Sequence, residues 1–238
     1  MMRILITNDD GITSDGIIRL AAAAAGYGQV FVVAPEKQCS AQSHSITLHK
    51  PVEIHPHELP VEGVRAYSVK GTPADCVRVG SLNIMEGKCD IVLSGINYGY
   101  NMASDIQYSA TVGAAFEAEF QGYKAIAFSE DASECHEVTD RYLKEIMEEV
   151  IKEPYVPGRI INVNFPGCAL SDFRGIKRGT KVSRLAYFKD HYNVLKEFAD
   201  GGMELMVEGA HVPENEEGTD YGAIITDHIS IGYVRNIG

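Results

Sequence analysis

The chain has 238 residues, 45% of them hydrophobic and 23% charged. That is an ordinary globular composition, at a length one α/β domain can reach. Acidic residues number 33 against 21 basic ones, a formal charge of −12 with no long basic run. This excludes a nucleic-acid polymer as partner, because neutralising phosphates needs clustered Lys and Arg. The five cysteines show no CxxC spacing, which excludes a disulfide framework and a zinc motif. Free thiols, a first apolar run too short for a leader and no bilayer-length apolar stretch point to a cytoplasmic protein that does not enter a membrane.

Arg3 to Thr7 (RILIT) reads as a buried strand that ends in the turn Asn8-Asp9-Asp10-Gly11. Ser14 or Asp15 caps a helix through Ala25, with Gly26 at its end. Gln29 to Ala34 is a second buried strand, stopped by Pro35, and His55 and His57 share a face of an exposed edge strand. Arg65 to Val69 is a strand, and Thr72-Pro73 starts a helix. Asp90 to Ser94 is a buried strand running into a loop over Gly95 to Asn101. A helix over Ser109 to Gly122, a strand over Lys124 to Ser129, an amphipathic helix over Thr139 to Glu153 and a strand over Arg159 to Phe165 follow. Apolar strands alternating with helices predict a parallel sheet.

After Pro166 the texture changes. Strand-like runs at Lys181 to Tyr187 and Met203 to Val207, within the charged stretch Arg174 to Gly209, predict an antiparallel extension. An acidic loop at Glu214 to Gly218 precedes a short helix or turn and a strand over Asp220 to Val234. The expected fold is α/β: a Rossmann-like, mostly parallel core over residues 1–170 and a C-terminal antiparallel extension over 171–238 of the same domain.

Ligands of parallel α/β sheets bind outside the carboxyl ends of the strands. Three loops there carry short oxygen-bearing side chains: Asn8 to Gly11, Cys39 to Ser43, and Gly95 to Gly99. Adjacent carboxylates repel unless a cation offsets them. Asp9, Asp10, Ser40 and Asn97 form an all-oxygen set suited to one divalent ion, Mg²⁺ or Mn²⁺. The plainer reading is that Asn8 to Gly11 is only a turn, since these residues favour turns. Ser109 and Thr111 open a helix, where free N–H groups and hydroxyls can hold phosphate; a simple N-cap also explains them. HExxH, GxSxG, the Walker pattern and GxGxxG after the first strand are missing, which argues against a zinc protease, an α/β-hydrolase, a P-loop NTPase and a classical dinucleotide dehydrogenase.

The ordered blocks ILITNDDGI (Ile4–Ile12), VAP (Val33–Pro35), S-x-x-S-H-S-I-T-L (Ser40–Leu48) and GTPADCV (Gly71–Val77) resemble the SurE (stationary-phase survival protein) family of 5′/3′-nucleotidases. So do SGIN-x-G-x-N (Ser94–Asn101), D-x-x-Y-S-x-T-V-x-A-A (Asp105–Ala115), INVNFP (Ile161–Pro166) and TDY (Thr219–Tyr221). The resemblance implies hydrolysis of nucleoside monophosphates with Asp9, Asp10 and Asn97 at the reaction centre. It implies one metal ion held by Asp9, Asp10, Ser40 and Asn97. It places Tyr108 to Val112 near the phosphate, with Asn8, Ser43, Asn101, Ser109 and Thr111 as candidate contacts, and implies a homodimer or homotetramer joined through C-terminal elements. Water or an Asp could attack phosphorus, and a non-catalytic nucleotide- or metal-sensing protein on the same scaffold is the rival reading. Three departures stand out: Ala41 and Ala110 replace the family's usual glycines, and the strand over Ile229 to Val234 lacks the usual SITPL ending.

Overall fold

The computed structural model describes residues 1–211 and 216–235. In chain order it runs β1 (Met2–Thr7), α1 (Asp15–Ala24), β2 (Gly28–Pro35), β3 (Ile54–His57), β4 (Arg65–Val69), α2 (Pro73–Val79) and β5 (Ile91–Tyr98). Then come α3 (Ala110–Phe120), β6 (Lys124–Glu130), α4 (Glu137–Lys152), β7 (Arg159–Phe165) and β8 (Gly175–Thr180). β9 (Phe188–Glu197), β10 (Met203–His211), α5 (Asp220–Ile224) and β11 (His228–Arg235) complete it, and short π and 3-10 turns lie at Gly80–Ile84 and Ala103–Gln107.

The central strands are aliphatic on both faces because helices cover both. One sheet has the order β3-β4-β2-β1-β5-β6-β7-β11-β8. Its pairs from β4 to β7 are parallel, β3 is antiparallel to β4, and β11 runs antiparallel to β7 and parallel to β8. Ile17 and Leu20 of α1 and Leu143 and Ile146 of α4 pack on one face with Ile4, Ile6 and Phe128. Cys76 and Val77 of α2 and Val112 and Ala115 of α3 pack on the other with Leu5, Phe31 and Val92.

The C-terminal third differs from its sequence reading in two ways. Only β9 and β10 form a separate antiparallel ribbon; β8 and β11 return to the main sheet. Lys181 to Tyr187 is not a strand. Side chains occupy two of its backbone donors, the Ser183 N–H giving to Asp220 Oδ1 (2.9 Å) and the Leu185 N–H to Ser183 Oγ (3.1 Å), and apart from one bridge at Lys181 no ladder forms. β5 also continues through Tyr98, beyond the loop boundary expected at Gly95. Part of the acidic loop expected at Glu214 to Gly218 lies outside the described residues.

Candidate active site

The chain leaves β1 for β2 on one side and reaches β5 on the other, so a crevice opens at the carboxyl ends of β1 and β5. Two close approaches set its shape. A Cβ on Gly16 would collide with the Ile96 carbonyl, so the bare residue lets α1 press against the end of β5. A Cβ on Gly113 would collide with the Ser43 carbonyl, so the loop after β2 lies directly on α3. His44 Nε2, 2.7 Å from Glu117 Oε2, fastens that loop to α3, and Asp75 accepts from Thr47 N (2.9 Å) and Oγ1 (2.6 Å) to fasten it to α2.

Asp9 and Asp10 emerge from β1 into this crevice. Asp9 is 4% exposed. Its carboxylate accepts a hydrogen bond from Thr111 Oγ1, and its carbonyl accepts from Cys39 N at 2.7 Å. Asp10 Oδ2 accepts from Tyr98 N at 2.9 Å. Gln38 Nε2 donates to Ser40 Oγ at 3.0 Å and reaches Asp10 Oδ1 at 3.5 Å. Asn97 Nδ2 donates to the Gly99 carbonyl at 2.6 Å, which leaves Oδ1 as its other polar atom. The turn after β1, the loop after β2 and the last residues of β5 therefore bring Asp9, Asp10, Ser40 and Asn97 to one end of the sheet. Gln38 and the Tyr98 amide hold the group together, and nothing in the sequence marked either.

The electrostatics of this group are unbalanced. Burial pushes the Asp9 carboxyl up to about 7; the Thr111 bond lowers it and the neighbouring Asp10 raises it. Asp10 is also raised, first by burial, against the lowering bonds from Tyr98 N and Gln38, with Glu130 adding to the rise. Among the described residues no Lys, Arg or His pairs with either carboxylate. Two carboxylates, a hydroxyl and an amide oxygen around an uncompensated charge fit a hard divalent cation.

The phosphate candidates separate into two groups. Ser109 caps α3, its Oγ accepting from Val112 N at 3.0 Å, and the amides of Ala110 and Thr111 stand in the first turn, where a helix offers them no carbonyl. Thr111 joins this helix start to Asp9. The others have structural work. Asn8 is fully buried, its amide bonded to Gly11 O (3.0 Å), Ser14 Oγ (2.7 Å) and Gly11 N (3.3 Å), so it builds the turn. Ser43 donates its hydroxyl to Gln107 O (2.8 Å). Asn101 is buried, with Nδ2 on Ser129 Oγ (2.7 Å) and its backbone clamped by Asn162 and Asn164. Asn8, Ser43 and Asn101 thus brace the loops around the site through these bonds.

Two hollows lie in this region, and only the smaller borders the group, through Asp10. One, of about 270 Å³, is lined by Asp10, Gln38 and Tyr98 with Arg19, Glu130 and His136. A larger groove of about 680 Å³ runs along α3 past Ser43, Ser109 and Phe116.

The model of the family described as Survival protein SurE matches residues 4–189. The 5′-nucleotidase SurE of Caldanaerobacter subterraneus subsp. tengcongensis is 39% identical over 233 residues, 96% of this chain and 89% of that protein. The 5′-nucleotidase SurE of Clostridium botulinum strain Loch Maree is 36% identical over 97% of this chain and 91% of its own length. The crystal structure of the SurE protein from Aquifex aeolicus superimposes with a TM-score of 0.82 at 32% identity, covering 98% of this chain and 93% of that one. A family match over most of the chain, near-full-length relatives and the shared fold agree: the chain belongs to the SurE family.

Proposed function

We propose that the protein is a divalent-metal-dependent 5′-nucleotidase that hydrolyses nucleoside monophosphates, 3′-nucleotides included, to nucleoside and phosphate. Its relatives' names support the nucleotidase part. The observation that carries the rest is the bond between Thr111 and Asp9, which joins an anion-binding helix start to a carboxylate pair without a counter-charge.

Asp9, Asp10, Ser40 and Asn97 would hold one Mg²⁺ or Mn²⁺ ion. Bound there, the ion supplies positive charge that offsets the phosphate and acidifies water. The residues do the remainder. Ser109 Oγ and the first amides of α3 take phosphate oxygens and stabilise them as charge redistributes. A carboxylate of the Asp9–Asp10 pair orients the attacking water and accepts its proton. Thr111 Oγ1 keeps Asp9 in place, and Gln38 and the Tyr98 amide keep Asp10 in place.

The protein acts as a homodimer or homotetramer. All of β9 and β10 is exposed, and cross-strand pairs Tyr192–Val207 and Val194–Leu205 give the ribbon an apolar face. A lone two-stranded ribbon is marginal in water, and a second copy of the chain is the occupant that the family resemblance implies.

Phosphate release from AMP, GMP and p-nitrophenyl phosphate, with Mn²⁺ or Mg²⁺ and again with EDTA, tests this reading. Turnover with either ion, abolished by EDTA, is the expected result. Nucleotide binding without release under every metal would replace it with the sensing protein.

A further inference from the structure

Of the five cysteines, Cys39, Cys76 and Cys89 are buried, and Cys39 and Cys89 give their thiols to the carbonyls of Lys37 and Ile91. Buried thiols of this kind are inert. Cys135 and Cys168 are half-buried. They are distant in the chain, Cys135 in the loop between β6 and α4 and Cys168 in the loop after β7. The parallel pairing of β6 with β7 sets those two loops side by side at the carboxyl ends of their strands.

The loops touch on both sides of the cysteines. On one side, a Cβ on Gly167 would collide with the Asp131 side chain, so the two segments are in direct contact there. On the other, Leu170 N donates to Glu137 Oε2 at 3.0 Å. Cys168 falls between Gly167 and Leu170, and Cys135 between Asp131 and Glu137. The loop after β5 fixes where both segments begin: Gly167 N donates to Tyr100 Oη at 2.9 Å, and Gly99 N to the Glu130 carbonyl at 3.0 Å. Burial, then Asp227 and Cys135, push the Cys168 thiol up to about 11. One thiol raises another in this way only when the two are close.

We propose that Cys135 and Cys168 form a site of reversible thiol oxidation that closes to a disulfide, with hydrogen peroxide as the oxidant. Cys168 keeps its proton at neutral pH, so Cys135 attacks first, as a thiolate. Its sulfur bonds to one peroxide oxygen, the O–O bond breaks, and the hydroxide released takes a proton from solvent. The sulfur of Cys168 then attacks the sulfenic acid at Cys135. The S–S bond forms, the S–O bond breaks, and the hydroxyl leaves as water with the Cys168 proton. Two thiols lose two electrons, and one peroxide becomes two waters. The bond encloses α4 and β7 in a covalent ring and pins the loop between Glu130 and His136. One exchangeable pair is not the disulfide framework that the cysteine spacing excludes, and the site does not depend on the nucleotidase reading.

The full chain, in EDTA at neutral pH, is treated with hydrogen peroxide as wild type, Cys135→Ser and Cys168→Ser. Intact mass, peptide mapping and thermal unfolding are measured before and after reduction with dithiothreitol. Each wild-type chain loses about 2 Da, the mass of two hydrogens. Mapping joins the Cys135 and Cys168 peptides, and dithiothreitol separates them. The bond raises the unfolding temperature by on the order of 5 °C, a rise that reduction removes. Cys135→Ser abolishes the mass loss, and Cys168→Ser instead gains about 16 or 32 Da at Cys135. Oxygen added to either wild-type cysteine with no bond between them overturns the site. So does a bond to Cys39 or between two chains, or an unfolding temperature that oxidation fails to raise.

Discussion

The rim of the sheet around Asp9 and the β9–β10 ribbon are opposite solutions to the same requirement. At the rim, polar side chains are buried and most find partners inside the chain: Asn8 in its own turn, Thr111 on Asp9, Asn101 on Ser129. On the ribbon, apolar side chains are exposed, with Tyr192 66%, Val194 51%, Leu205 45% and Val207 50% accessible. The rim lacks a positive charge; the ribbon lacks apolar contact. In the function proposed above, an ion supplies what the rim lacks and a second copy of the chain what the ribbon lacks.

The largest effect is expected where the rim's imbalance is removed. Asp9→Asn should lower phosphate release by at least about 10³-fold, the scale for a group at a reaction centre. The same change should not destabilise the ion-free protein at pH 8, because a neutral amide can still accept from Thr111 without the penalty of a buried charge. Activity assays paired with thermal unfolding in EDTA check both. Wild-type turnover, or a large drop in unfolding temperature, would show that Asp9 is a structural carboxylate and that the rim resembles any other buried turn.

Acidity should reveal the same imbalance without mutation. The folded-state pKa of Asp9, about 7, lies above its ordinary value of 3.8. The folded ion-free protein therefore holds a proton that the unfolded chain releases. Its stability from this group is greatest below about pH 4 and is lost as pH rises through 7, by on the order of 4 kcal/mol. Asp10 is shifted in the same direction. A cation that needs both carboxylates ionised reverses this loss. Mn²⁺ should raise the unfolding temperature more at pH 8 than at pH 5, and an equal rise at both would remove Asp9 from the ligand set.

For the ribbon, Val194→Lys with Leu205→Lys puts two like charges opposite each other on the apolar face. Light scattering should find the wild type at no less than twice the 26.0 kDa chain mass, and the double variant in a smaller species. The unfolding temperature should fall only a few degrees, because the core clusters contain no β9 or β10 residue. A 26.0 kDa wild type at micromolar concentration would break the contrast with the rim.

Sequence periodicity revealed the strands that feed the rim, because buried parallel strands are written as continuous aliphatic runs. The all-oxygen group was legible for a related reason: each member directly follows such a run or its loop. The bracing was not. Gln38 looks like any loop glutamine, and the Tyr98 contact uses a backbone amide, which carries no residue code. The bracing bonds of Asn8 and Asn101 were not legible either, because an amide that builds a turn and one that binds an anion are the same residue type. Beyond Pro166, local pattern could not say which strands rejoin the sheet. β11 pairs with β7 across some 70 residues of chain, and Lys181 to Tyr187 loses its strand to its own Ser183 and to Asp220, which no window around the stretch includes.

The smallest effect tests whether the rim's loops are strained. Ala41 has φ 57 and Ser43 φ 51, both in the left-handed region. There an L side chain costs about 1 kcal/mol and glycine none. Ser43 offsets this by bonding Gln107, whereas Ala41 has no polar atom with which to do so. Ala41→Gly should raise the unfolding temperature by about 2–4 °C. Ala110 opens α3 in helical geometry and is fully buried, so Ala110→Gly loses helix propensity and should lower it by a similar or smaller amount. One chemical change at two sites of the same rim is thus expected to act with opposite signs. Matching signs would mean that backbone conformation is not what distinguishes the two positions, and that Ala41 is accommodated without strain.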